Sequence, residues 1–112
     1  MSNSIFQDII DKKIPAEIIY EDDLVLAFND ISPQAPIHIL VIPKKPITKL
    51  STSDDGDQEL LGHLLLVVKK ITADKNILDY RVTINNGAEA GQTVFHLHLH
   101  ILAGRTFGWP PG

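Results

Sequence analysis

The stretch Val94-Phe95-His96-Leu97-His98-Leu99-His100-Ile101-Leu102 alternates apolar side chains with three imidazoles. Side chains of a β-strand project to opposite faces with a period of two. A strand here puts His96, His98 and His100 on one face and Phe95, Leu97, Leu99 and Ile101 on the other, an apolar ridge backed by a chemical face. Each neutral imidazole brings a donor and an acceptor that need partners, so the histidine face is expected to open on a cleft. Imidazole serves as nucleophile, acid, base or metal ligand near neutral pH, which makes this row the candidate reaction centre. His38 stands in a second strand-like run, Ile37-His38-Ile39-Leu40-Val41-Ile42, which ends at Pro43 and can lie alongside.

The flanking sequence supplies the rest of a sheet. Tyr80-Arg81-Val82-Thr83-Ile84 predicts a strand, and Asn85-Asn86-Gly87 with Gly91-Gln92 supplies turn formers before the histidine row. Two short strands, Glu17 to Tyr20 and Leu24 to Phe28, flank Glu21-Asp22-Asp23. From about Asp57 to Asn76, Leu60, Leu61, Leu64, Leu65, Val68 and Ile71 recur at helical spacing and predict the main helix. A shorter helix, capped by Asn3 or Ser4, is expected through Lys13, with Ile5, Phe6, Ile9 and Ile10 as its apolar stripe and Pro15 beyond it. Gly104, Gly108 and Trp109-Pro110-Pro111-Gly112 predict a structured tail. Strands and helices do not alternate in a βαβ pattern and no repeat divides the chain. The expected class is α+β, one domain over residues 1–112, with an antiparallel sheet of about five strands, one long helix and one short helix.

Ten Lys and Arg against fourteen Asp and Glu give a net charge of −4 without a basic block, so nucleic acid is not an expected partner. A small nucleotide needs no basic surface, because backbone N–H groups, neutral donors and imidazoles can hold a single phosphate. There is no cysteine, which removes thiolate chemistry and fits a reducing compartment. The start of the chain lacks a basic and apolar leader, and no window approaches the ~20 apolar residues of a membrane span. A cytoplasmic protein without membrane contact is the expectation.

Three uses of the histidine row compete. Zinc can take two nitrogens from His-x-His, but at ~3.3 Å per residue His96 and His100 stand roughly 13 Å apart in a strand, too wide to converge without a bend. Purely structural histidines would require polar partners for all three rings. A nucleophilic row uses the central imidazole on an electrophile while its other nitrogen is held as N–H, and the flanking rings donate to oxygens. Phosphorus suits that role, because Gly91-Gln92-Thr93 just upstream offers amide, hydroxyl and backbone donors.

The ordered set Ser4-Ile5-Phe6 through Ile14-Pro15, Phe28-Asn29-Asp30-Ile31-Ser32-Pro33-Gln34-Ala35-Pro36-Ile37-His38, Val41-Ile42-Pro43-Lys44-Lys45, Gly91-Gln92 and the triad row resembles the histidine triad (HIT) superfamily. The Trp109-Pro110-Pro111-Gly112 ending is similar to its nucleotide-binding Hint branch. That resemblance implies a HIT-like fold and a homodimer; no cofactor is expected, and no metal, because a lone pair committed to phosphorus cannot also hold zinc. It also implies hydrolysis of purine nucleoside 5′-phosphoramidates through a nucleotidyl-histidine. By the same likeness His98 is the nucleophile, assisted by His96, His100 and His38. Gln92, Thr93, Asn85 and His100 are on the phosphate side, Asp30 receives the ribose hydroxyls, and Phe6, Ile9, Phe28 and Ile31 hold the base. Thr93 stands where serine is usual. Phe107-Gly108-Trp109 replaces a segment in which some relatives carry a further histidine, so Thr106 and Trp109 are expected to act in substrate selection. Dinucleoside polyphosphate hydrolysis, nucleotidyl transfer and a nucleotide-binding dimeric interaction module are the alternative functions.

Overall fold

The computed structural model describes residues 4–112; Asn3, the alternative first cap, lies outside them. Helix α1 spans Ile5–Ile10, and the Ser4 hydroxyl caps it by accepting from the Gln7 N–H at 3.1 Å. The helix stops short of the expected Lys13. Lys12 adopts φ 60°, its N–H reaches Ile9 O and the Lys13 N–H reaches Asp8 O, the paired bonds of a Schellman ending built without glycine.

Strands β1 (Ile18–Glu21) and β2 (Val25–Asn29) form a hairpin. Asp22 replaces the usual Asn-Gly turn chemistry: its Oδ1 accepts from the Leu24 and Val25 N–H groups, both at 2.8 Å. The other oxygen, Oδ2, accepts from the Tyr20 hydroxyl at 2.7 Å and bonds His63 Nε2 at 2.6 Å. Partial burial pushes the Asp22 carboxyl up, but the hydrogen bonds from Tyr20, His63, Leu24 and Val25 outweigh it and hold the group well below the usual carboxylate range. The turn is thereby tied to the long helix.

Strand β3 (Ile37–Pro43) is followed by two single 3-10 turns and helix α2 (Gln58–Asp74), then β4 (Tyr80–Thr83), a third 3-10 turn at Ala88–Ala90 and β5 (Leu99–Ala103). The five strands form one antiparallel sheet in the order β1-β2-β3-β5-β4. Helix α2 covers one face by burying Leu64, Val67, Val68 and Ile71 against Val25, Ala27, Ile39, Val41, Leu97, Leu99 and Ile101. Helix α1 covers part of the other face, where Phe6 and Ile9 meet Leu26, Phe28, Leu40 and Ile42. Covering on both faces explains why β2 and β3 read as continuous apolar runs rather than alternating ones. Leu65, expected in the buried stripe of α2, instead faces outward beside Leu66, and Val67 takes its place at the i+3 position from Leu64.

The histidine run departs from a straight strand. The ladder begins only at Leu99, and the backbone bends through Val94, Phe95 and His96. Two tertiary bonds hold the bend: the Leu97 N–H donates to Ile47 O, and the His96 ring N–H donates to Pro43 O, each at 2.7 Å. Phe95 is consequently 47% exposed and is no part of the ridge. Alternation holds from Leu97 onward, with Leu97, Leu99 and Ile101 facing α2 and His98 and His100 facing the cleft. Among the described residues no helix is long and apolar enough to cross a membrane.

Candidate active site

A cleft of about 630 Å³ opens between α1, the ends of β2 and β5, and the loop carrying Asn85 to Val94. Its apolar wall comes from Phe6, Ile9, Phe28 and Ile31, and its polar wall from Asp30, His38, Asn85, Gly91, Thr93, His98 and His100. Phe6 sets its edge against Phe28 at 5.5 Å and against the His98 ring at 5.0 Å between centroids, so the short helix forms one side of the site. Ile31 sits on the rim, 93% exposed.

Hydrogen bonds assign the imidazole protons. A carbonyl oxygen only accepts, so His98 carries its proton on Nδ1 and donates to the His96 carbonyl at 2.7 Å. Nε2 is thereby left with a free lone pair on a ring that lines the cleft. In His38, Nδ1 accepts from the Gln34 N–H at 3.0 Å, which puts the proton on Nε2; that N–H faces His100 Nδ1 at 2.9 Å. His100 must then accept at Nδ1 and carry its own proton on Nε2. This last N–H is buried and has no partner. The His98 and His100 rings stand 4.9 Å apart between centroids, so a lone pair and an orphan donor lie side by side.

Burial disfavours the charged form of each ring. It holds His38, His96 and His98 below the ordinary imidazole value of 6.5, and in His98 and His38 a nearby Asp30 carboxylate opposes the shift. His100 is pushed down to about 4, by burial first and then by the neighbouring His98 and His38 rings. At neutral pH all four are uncharged. Asp30 uses Oδ1 in an Asx turn with the Ser32 N–H at 2.8 Å, and Oδ2 lies 3.5 Å from His38 Nε2. Potential ligand atoms of Asp30, His38 and His100 lie within 4.8 Å of one another. A cation there would compete with the bonds just described: the Gln34 N–H holds one His38 lone pair, and the His38 proton holds that of His100 Nδ1. The group fits a proton-ordered chain better than a ligand set.

Sequence and fold comparisons identify the family. The HIT domain model matches residues 11–107. An uncharacterized HIT-like protein of Synechocystis sp. is 62% identical over 111 residues, covering 98% of this chain and 97% of that protein. A HIT family hydrolase from Legionella pneumophila superimposes with a TM-score of 0.95 at 44% identity, covering 98% of this chain and all of that one. A histidine triad nucleotide-binding protein from Candida albicans superimposes with a TM-score of 0.80 at 36% identity, over 96% of this chain and 83% of that one. The chain belongs to the HIT domain family.

Within this HIT domain the expected site residues divide by position. His38, His98, His100, Asp30, Asn85, Thr93, Phe6, Ile9, Phe28 and Ile31 meet in the cleft. His96 lies behind it, its ring N–H on Pro43 O. Gln92, expected on the phosphate side, is a brace: its Oε1 accepts from the Gly87 N–H at 2.8 Å, and its Nε2 donates to Thr48 O at 2.9 Å and Val94 O at 3.1 Å. The whole side chain is buried by these bonds. Gly91 joins the cleft instead, with φ 99°; a Cβ there would stand 3.4 Å from the Asn85 amide nitrogen. Thr106 and Trp109 lie outside the cleft. The tail that carries them is fixed by Arg81, which donates to Gly108 O at 2.9 Å and stacks over Phe107 at 5.2 Å, and by Arg105 over Phe107 at 4.2 Å. The Gln34 backbone N–H, which sets the His38 tautomer, escaped sequence reading because a main-chain donor leaves no residue signature.

Proposed function

We propose that this HIT domain is a purine nucleoside phosphoramidase of the Hint branch, acting over residues 1–112 as a single domain. The observation that carries the reading is the pairing of a tautomer-locked nucleophile with an orphan donor: His98 Nε2 is free while Nδ1–H is held by the His96 carbonyl, and the His100 Nε2–H beside it lacks a partner. His98 Nε2 attacks phosphorus, the phosphorus–nitrogen bond breaks, and the amine departs with a proton taken from solvent. Water then attacks the phosphorus of the nucleotidyl-histidine, the bond to Nε2 breaks, a proton returns to solvent, and the nucleoside monophosphate leaves.

In this reading the His100 N–H, the Thr93 hydroxyl and the Asn85 amide receive phosphoryl oxygens. Asp30 Oδ2, free of the Asx turn, takes the ribose hydroxyls, and Phe6, Ile9, Phe28 and Ile31 desolvate the base. Preference for a purine rests on the family likeness. The Legionella hydrolase and the Candida nucleotide-binding protein support hydrolysis and nucleotide binding by kinship. A homodimer is supported by the position of β4 at the sheet edge and by the exposed Leu65, Leu66 and Leu78. A second copy is also what would bring Thr106 and Trp109 to a cleft.

Incubation with adenosine 5′-phosphoramidate tests the reading. AMP release is expected from the wild type, and His98→Ala is expected to lower kcat by at least about 10³-fold while leaving the fold intact. Equal turnover by the variant would end the assignment, and a higher kcat/KM for diadenosine polyphosphates than for the phosphoramidate would move the substrate class.

A further inference from the structure

The polar wall of the cleft holds no lysine or arginine among the described residues. What it presents to a phosphoryl group is donors without charge: the His100 Nε2–H, the Asn85 amide and the Thr93 hydroxyl. Helix α1 adds only apolar side chains, and the loop of Asn85 to Val94 adds no charged group to the lining. The groups able to carry charge there are the rings of His38, His98 and His100 and the carboxylate of Asp30. Uncharged donors can satisfy one delocalised negative charge, but a second brought into a partly desolvated site beside a carboxylate finds no counter-charge in the lining; the neighbouring cation, Arg105, stands outside it with its guanidinium on the Gln34 carbonyl at 3.2 Å.

We propose that the cleft accepts its phosphoryl group as the monoanion and rejects the dianion, so that the reaction product is expelled by its own second charge. The inference rests on the nucleotide reading above. A nucleoside phosphoramidate carries one ionised oxygen throughout the neutral range. The monophosphate made from it loses a second proton with a pKa near 6. Attack by water thus converts a group the cleft holds into one it does not, and product release is coupled to deprotonation of the product. The same charge rule disfavours di- and triphosphate chains, which bring further negative charge to the same wall.

Calorimetric titration of the wild-type protein with three probes between pH 6 and pH 8 tests this: AMP, its methyl ester, and adenosine. The methyl ester is a phosphodiester and stays a monoanion across the range; adenosine reports the base and ribose contacts alone. The monoanionic fraction of AMP falls from about one half at pH 6 to about one hundredth at pH 8, so its apparent Kd is expected to rise about 50-fold. The Kd of the methyl ester is expected to stay within about twofold. Burial lowers the pKa of the His38, His98 and His100 rings, and the methyl ester, whose own charge is fixed, reports whatever titration those rings contribute over the window. An AMP affinity that stays level, or one that follows the methyl ester in either direction, would overturn the charge rule. Absence of binding by all three probes would instead overturn the nucleotide reading on which the rule rests.

Discussion

His98 and His100 have the same side chain two residues apart, and their partners give them opposite tautomers. The difference is set by two backbone groups, the His96 carbonyl and the Gln34 N–H, which leave one ring offering a lone pair and the other a proton. Nitrogen-15 NMR of the imidazoles at pH 7.5 is expected to show His98 as the Nδ1–H form and His38 and His100 as Nε2–H forms; Nε2–H in His98 would remove the nucleophile from the cleft. The pH dependence of turnover follows from the same residues. Protonation of His98 blocks its lone pair, and burial holds its pKa below 6.5, so kcat/KM should be level above that value and fall on the acid side. Stability shares the direction. These rings have folded pKa values below their unfolded ones, so the unfolded chain binds more protons as pH drops below 6.5, and stability present above that pH is lost towards the value of about 4 held by His100. Denaturant midpoints measured from pH 7.5 to pH 4.5 check the sign.

Elements place these residues through a few buried polar bonds as well as through packing. The Gln92 amide ties the turn at Gly87, the segment at Thr48 and the start of the bend at Val94. Gln92→Ala leaves those three backbone groups without their partner and is expected to cost about 2–3 kcal/mol in chemical denaturation; a change under about 0.5 kcal/mol would mean that water replaces the amide freely. The sheet, the long helix and the cleft-side histidines were legible because each leaves a periodic signal. Val68 and Ile71 repeat every three to four residues, and Leu97, Leu99 and Ile101 every two. The exposure of Phe95 was not legible, because the bend is held by Ile47 and Pro43, residues distant in sequence whose backbone oxygens carry no pattern. The bracing bonds of Gln92 leave no pattern for a related reason: an amide beside a glycine suits a phosphate as well as it suits three backbone groups. The short helix ended early because Lys12 takes a left-handed conformation that glycine usually signals.

The described residues form a sheet with a long helix on one face and a histidine-lined cleft on the other, so the outer edge of β4 and the exposed leucines of α2 stay available to a second copy. Sedimentation equilibrium is expected to return twice the chain mass at micromolar concentration, and Leu65→Glu with Leu66→Glu to lower it toward the monomer; a wild-type monomer throughout would leave the tail without a cleft to reach. The central claim concerns the covalent step and is tested most directly by acid-quenched mass spectrometry during turnover of adenosine 5′-phosphoramidate. The wild type and His96→Ala serve together, since the His96 ring braces Pro43 from behind the cleft while the His98 proton is held by the residue 96 backbone. An adenylyl group on protein nitrogen, placed by fragmentation on His98, is the predicted result. An adduct placed on His96, His100 or His38 would contradict it.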